Sequence, residues 1–414
     1  MKSIFTTAIV AATLSVSITS CIADEALNTE CDILTCTLPE GVLMSSPTIT
    51  NDRVTLMALP DADISKLAPE FTITEGATIT PASGSLQDFL NAENHTVVYT
   101  VTSQDGAWHK DYRVEVIQRE TTSEYKFNKV ELDATKKYSI FNEADDEGNN
   151  LMTWASGNPG FIMCGMADKE AKAAYGNDYK SHIWEFFPTI AIYPEGTEQI
   201  VDEKSGVTYF MKDGKYAQPE YIRLVTRSTG TFGSRIKMPI AAGNIFQGWF
   251  DLSYATSRPR EATQFGEPFR YKPLSLSGTY RFTPGEVFTD SNGKEVPDRQ
   301  DIFSIYAIFF KSDADTEFID SNVHYNDFQH PNMVALANLT DCRVTGLGDD
   351  AWVDFKIPFV YYDGVTIDYE ALAKGQYKIG IVIASSAEGD YFRGAVGSTL
   401  DVKNIRIIHE KTEE

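Results

Sequence analysis

The chain has 414 residues, with 36 basic against 59 acidic side chains, so it carries a formal charge of −23. That charge opposes binding to nucleic acid or to an anionic membrane surface, and a neutral or weakly charged partner is expected. The length allows two domains or three. The 20 Tyr and 24 Phe, with many Thr, Val and Ile, favour strands over helices.

In chain order, Lys2, the apolar run Ile4–Ile18 and the ending Ile18-Thr-Ser-Cys21 read as a targeting segment too short to span a bilayer. The ending resembles a relaxed bacterial lipobox, which implies cleavage before Cys21 and lipidation of its thiol; a plain secretory signal is the alternative. Multiple acylation would give a stable membrane anchor. Asp24-Glu25 resembles the signal for export to the outer surface, so a lipid-anchored protein of the outer membrane is expected, facing the cell exterior. Residues 22–30 are polar and read as a tether.

Four cysteines follow in an oxidising compartment. Cys31 and Cys36 fall on opposite faces of a regular strand and can pair only if the chain turns between them. Cys164 and Cys342 are small core residues or a long-range bridge. Neither the cysteines nor the six histidines have zinc-ligand spacing, so no cofactor is expected.

Residues 31–118 read as an all-β module. Short strands at 54–59, 70–76, 95–103 and 110–118 are broken by Pro81-Ala-Ser-Gly84 and Gln104-Asp-Gly106. The stretches Ile73–Phe89 and Tyr99–Gly106 resemble the immunoglobulin-like N-terminal module of surface lipoproteins, which implies a spacer. Polar residues 119–124 are the linker candidate. A larger β domain then runs over 125–410, with strands at 189–193, 221–227, 245–254, 278–283, 302–310, 352–361, 376–384 and 399–408. Helical turns are expected at Asp168–Tyr175 and Tyr369–Lys374. Ile302–Phe310 is apolar on both parities, as in a strand covered on both faces. Leu400 and Val402 sit on one parity and Ile405 and Ile407 on the other, which predicts a bulge near Lys403-Asn404.

The stretch Ser385–Ile407 resembles the C-terminal signature of the putative carbohydrate metabolism domain of Bacteroidetes surface lipoproteins. Trp154-Ala-Ser-Gly-Asn-Pro-Gly160 and Ala241–Leu252 agree with it in order and spacing. The resemblance covers about Ser123 to Glu410. It implies an all-β chain in which an immunoglobulin-like sandwich precedes a jelly-roll sandwich, and it implies glycan-related work.

Within that frame, Gln247, Trp249 and Asp251 share one strand parity, opposite to Phe246, Gly248 and Phe250. An aromatic between an amide and a carboxylate is what a sugar needs, with C–H bonds on the ring and hydroxyls on the polar groups. The Glu388–Ser398 loop, with Asp390, Tyr391 and Arg393, forms a wall in this reading, and the loop carrying Trp154 and Asn158 lies near the mouth. Asp350, Trp352, Asp354 and Lys356 form a second face that lines a groove or meets solvent. Arg223 and Arg227 bind an acidic sugar or pair with local carboxylates. Asp401 is a candidate ligand for a structural calcium ion, with an exposed aspartate beside Lys403 as the alternative. None of the expected strands carries a run of E-x-D type that would mark a glycosidase pair on one strand, so glycan binding is expected, with an interstrand carboxylate pair or a purely structural role as alternatives.

Overall fold

A computed structural model describes residues 28–39, 42–43, 46–59, 62–118, 123–145, 148, 150–202 and 207–410. The leader with Cys21, most of the 22–30 tether and residues 119–122 of the linker lie outside the described residues. Among the described residues the chain is mostly strand.

The N-terminal module packs a five-stranded sheet on a two-stranded one. In the larger sheet the order is Thr48–Ile49, Arg53–Ala58, His109–Gln118, Thr96–Thr102, Thr78–Thr80. Ile33–Thr37 pairs with Glu70–Ile73 across from it. Alternation places Val54, Leu56, Val114 and Val116 inside, where they meet Phe71, Phe89 and Tyr99. Trp108 is exposed at a turn. Cys36 is buried on the Ile33–Thr37 strand, burial pushes its thiol up to about 12, and all four described cysteines are free thiols.

The C-terminal domain is a sandwich of two sheets, each with five strands in line and a short sixth strand off that line, Glu124–Tyr125 on Thr399–His409 in one and Glu267–Pro268 on Tyr377–Ala384 in the other. One has the order Thr189–Ile192, Tyr221–Val225, Thr399–His409, Pro273–Thr283, Val353–Pro358. The other runs Asn244–Phe246, Tyr377–Ala384, Ser304–Lys311, Met333–Asn338, Val360–Tyr361. The chain passes back and forth between them with antiparallel neighbours, in the manner of a jelly roll. Leu276, Tyr280 and Phe282 from the first sheet meet Ile305, Ala307, Phe309, Ile379 and Ile381 from the second in one core. Between Thr279↔Lys403 and Ser277↔Arg406 the register slips, and Asn404 takes φ +56°, which is the expected bulge.

Tyr306, Ile308 and Phe310, on the outward parity of Ser304–Lys311, are also buried. Phe246, Phe265, Ile319, Val323 and Phe328 roof them in a second core. That roof is a short ribbon, Gly248–Phe250, Thr263–Phe265 and Ile319–Asp320, followed by the helical turn Asn322–Tyr325. A further six-stranded sheet, built around Lys129–Leu132, Ser139–Ala144, Asn150–Trp154 and Thr208–Lys212, has no counterpart in the pattern-based reading.

Candidate functional site

Gly248 decides the geometry. It has φ +138°, and a Cβ there would lie 2.0 Å from the Gln264 carbonyl oxygen. At this point the chain leaves one sheet for the roof: Asn244–Phe246 pairs with Tyr377–Ala384, whereas Gly248–Phe250 pairs with Thr263–Phe265. A two-residue period cannot be counted through that switch. Gln247 is therefore buried, not on an open face. Its backbone N–H donates to the Ile381 carbonyl (3.0 Å) and its Oε1 accepts from the Ile381 N–H (3.2 Å). Trp249 is 46% exposed, on the ribbon side away from Phe250. Asp251 caps the turn Leu252–Tyr254 by accepting from the Ser253 N–H (2.9 Å).

Two more expected site residues belong to the interior. Trp154 is buried among Tyr125 and Phe127, and its Nε1–H donates to Glu143 Oε1 at 3.0 Å. Glu143 also accepts from the Lys126 and Phe127 N–H groups; burial raises its pKa and these bonds oppose the rise. Asn158 is fully buried and ties its loop to Thr189 in both directions, Nδ2–H to the carbonyl (2.8 Å) and Oδ1 from the N–H (3.1 Å). Asn158 thus fastens its loop and Trp154 packs in the core, and neither is part of the cleft lining.

Arg223 and Arg227 take the internal partners that were one of their two readings. Arg223 Nε–H and Nη2–H donate to Asp401 Oδ1 (2.8 Å) and Oδ2 (2.9 Å), and Arg281 Nε–H adds a third bond at 2.8 Å. Asp401 is thus a buried carboxylate held between two guanidiniums, not an exposed acid and not placed to hold calcium, because positive charge already fills its coordination. Arg227 pairs with Glu170 at 3.2 Å. Trp352 packs on Arg281 and Lys403, while Asp354 accepts from Thr279 Oγ1–H. Among the described residues no group of three or more His, Cys, Asp or Glu side chains is arranged to hold a metal.

The opening of the domain lies beside the expected face, where the roof, the Gly157–Cys164 segment, the helix Gly230–Arg235 and the Gly-rich loop converge. They border an open cleft whose empty space, open solvent at its mouth included, is about 1190 Å³. Phe161, Met163, Phe232, Ile236, Phe250 and Phe392 are among its apolar walls; Asn244, Ser304, Ser321, His324, Ser386 and Asp390 supply its polar groups. Met163, Phe232 and Ile236 are exposed, as an apolar lip.

Asp390 lines this cleft, in a setting the pattern did not reveal. His324 Nδ1–H donates to Asp390 Oδ2 at 3.1 Å, and the imidazole stacks on Tyr306 with centroids 5.7 Å apart. The hydrogen bond to Asp390 is the chief cause raising the His324 pKa; partial burial opposes it. Asp390 Oδ1 is buried with no hydrogen-bond partner among the described residues. Next to it, Tyr391 lies against Tyr325 (5.4 Å) with Arg260 over both rings, and Arg393 sits 3.6 Å from Glu388.

The loop is held by Asp301, which sequence reasoning passed over. Its Oδ2 accepts from Ser386 Oγ–H (2.6 Å), Ser398 Oγ–H (2.7 Å) and the Ala395 N–H (2.7 Å). Burial raises its pKa against those bonds. Gly389 is required by close approach, since a Cβ would lie 2.4 Å from Ala242 Cβ.

Residues 126–408 match the family described as "Putative carbohydrate metabolism domain", and residues 33–116 match the one described as "SGBP, N-terminal". A solved structure from Bacteroides thetaiotaomicron, titled a putative glycoside hydrolase, is 39% identical. It covers 94% of this chain and 100% of its own, with a TM-score of 0.72. A second with the same description, from Bacteroides vulgatus, is 32% identical over 70% of this chain and 100% of its own, with a TM-score of 0.55. No curated protein matches the chain.

Proposed function

The chain belongs to the putative carbohydrate metabolism domain family, and from that premise we propose that it binds a glycan in the cleft at the roofed end of its C-terminal sandwich. The observation that carries this reading is the His324–Asp390 pair among aromatic walls. A sugar ring offers a C–H face to Phe250 or Phe392 and hydroxyls to imidazole, carboxylate and the serine hydroxyls. Asp390 holds the Nδ1 proton of His324, which leaves Nε2 for a ligand hydroxyl.

The titles of the two solved relatives favour a second reading, hydrolysis. That reaction needs two carboxyl groups roughly 5–9.5 Å apart. Among the described residues lining the cleft Asp390 is the one carboxylate, which supports binding over cleavage.

A glycan array probed with the full soluble chain tests the proposal. Phe250→Ala and His324→Ala should each lose the signal about thirtyfold or more, the scale of a central contact. Trp249→Ala, outside the cleft, should keep it. Retained binding in His324→Ala with loss in Trp249→Ala would move the site to the outer ribbon. Release of reducing sugar from the array hits by wild type would establish hydrolysis.

We also infer that the protein is an exported lipoprotein anchored through Cys21. The leader pattern and the match of residues 33–116 to the SGBP N-terminal family, which suggests a surface glycan-binding protein of Bacteroidetes, support this. Cys21→Ala should move the protein from the membrane fraction to the soluble one; retention through a detergent-free wash would refute the anchor.

A further inference from the structure

Among the described residues most arginines are paired internally with carboxylates. Arg223 and Arg227 bind Asp401 and Glu170, Arg299 and Arg393 bind Glu388, and Arg258 binds Glu261. Arg260 is different. Among the described residues no carboxylate lies within ion-pair distance of its guanidinium, which sits 4.8 Å from the Tyr325 ring centroid and 5.5 Å from that of Tyr391. Tyr325 is 60% exposed.

The position of this cluster ties it to the cleft. The Arg260 carbonyl accepts from the Ser321 N–H (3.2 Å) and Oγ–H (3.0 Å), and Ser321 lines the cleft. Arg260 follows Pro259, Tyr325 follows His324, and Tyr391 follows Asp390; each of those three predecessors lines the cleft as well. The guanidinium is thus held at the rim by a backbone anchor and two rings, with its hydrogen-bonding edge uncommitted.

We propose that Arg260, on its Tyr325–Tyr391 platform, is the subsite for an anionic sugar unit, a uronate carboxylate or a sulfate ester, at the mouth of the cleft. This rests on the cleft being the glycan site and adds the substrate class. A planar guanidinium receives either anion through two parallel N–H bonds, which a neutral sugar cannot match. Stacking on aromatic faces fixes its plane beforehand, so little ordering is required on binding. The global charge of −23 does not forbid it, because at about 0.1 M salt charges beyond ~10 Å are screened and the contact is local.

The test is an array of oligosaccharides printed in matched neutral, uronate and sulfated forms, read with the full soluble chain and with Arg260→Gln and Arg260→Lys. Wild type should prefer one anionic form over its neutral partner by about tenfold or more. Arg260→Gln should erase that preference while leaving neutral binding within about twofold, and Arg260→Lys should keep only part of it. The preferred arm identifies carboxylate or sulfate. Equal binding of neutral and anionic forms by wild type overturns the subsite and leaves the cleft reading standing. A parallel loss of all forms in Arg260→Gln overturns it in favour of a packing role. Absence of binding by every form refutes both.

Discussion

Asp401 and Asp390 lie on the same C-terminal segment, the first bonded to two guanidiniums and the second to an imidazole. Asp401 is fully buried and takes three charge-assisted bonds, from Arg223 and Arg281, with Arg281 between Tyr221 (4.8 Å) and Trp352 (4.5 Å). Among the described residues Asp390 has His324 as its side-chain hydrogen-bond partner and an oxygen without one. Arg281 sits on its carboxylate, whereas Arg260 sits on rings alone. Residue types are nearly the same at the two places. Saturation separates a fastener from a site.

The largest expected effect tests the fastener. Asp401→Ala leaves two guanidiniums facing an empty position and should cost about 3–5 kcal/mol in urea denaturation, as a broken buried ion pair does. A cost under about 1 kcal/mol would place Asp401 among surface pairs and dissolve the comparison. A smaller effect sharpens it. Arg223→Lys keeps charge but loses the two-pronged bond, and should cost about 1–2 kcal/mol without changing glycan binding.

The third effect is on the pH profile, at the open end. Because the folded-state pKa of His324 is raised above 6.5, its ionised form is favoured by folding. That stabilisation is present in full below about 6.5 and is lost as pH rises through the raised value. Asp390→Asn removes the main cause, so the His324 titration midpoint should fall and the alkaline loss of stability should flatten. NMR titration of the imidazole, beside melting curves at several pH values, measures both. An unmoved midpoint would show that the pair does not hold the proton as described.

The strands Arg53–Ala58, His109–Gln118, Ser304–Lys311, Tyr377–Ala384 and Thr399–His409 were legible from their apolar patterning, whereas Ser139–Ala144 and Met333–Asn338, of six residues each, were missed. The Lys403–Asn404 bulge was legible too, since a change of parity inside one apolar run has few other causes. The site was legible only in part. Asp390, Tyr391 and Arg393 stood out as polar residues in a Gly-rich loop with little reason to be in a core. Gln247 was misplaced, because the count assumed one strand where Gly248 hands the chain to another sheet; Trp249 is exposed as its parity suggested, but on the roof ribbon and outside the cleft lining. Isolated glycine inside an aromatic strand was the available warning. Trp154 and Asn158 were read as loop platforms, yet a Trp with its N–H on a buried carboxylate cannot be told from an exposed one by pattern. His324 went unnoticed because histidines were searched for metal spacing, while its partner lies 66 positions away in the chain.

The N-terminal module has a consequence for biogenesis. Its middle strand, His109–Gln118, is the last to be synthesised, and it pairs in parallel with Arg53–Ala58 and antiparallel with Thr96–Thr102. Until Gln118 has emerged, Val54 and Leu56 have no sheet neighbour on that side and no closed core to enter. Long-range pairing of this kind is slow to form. A chain that emerges N-terminus first therefore cannot close this sheet or its core until the final strand arrives.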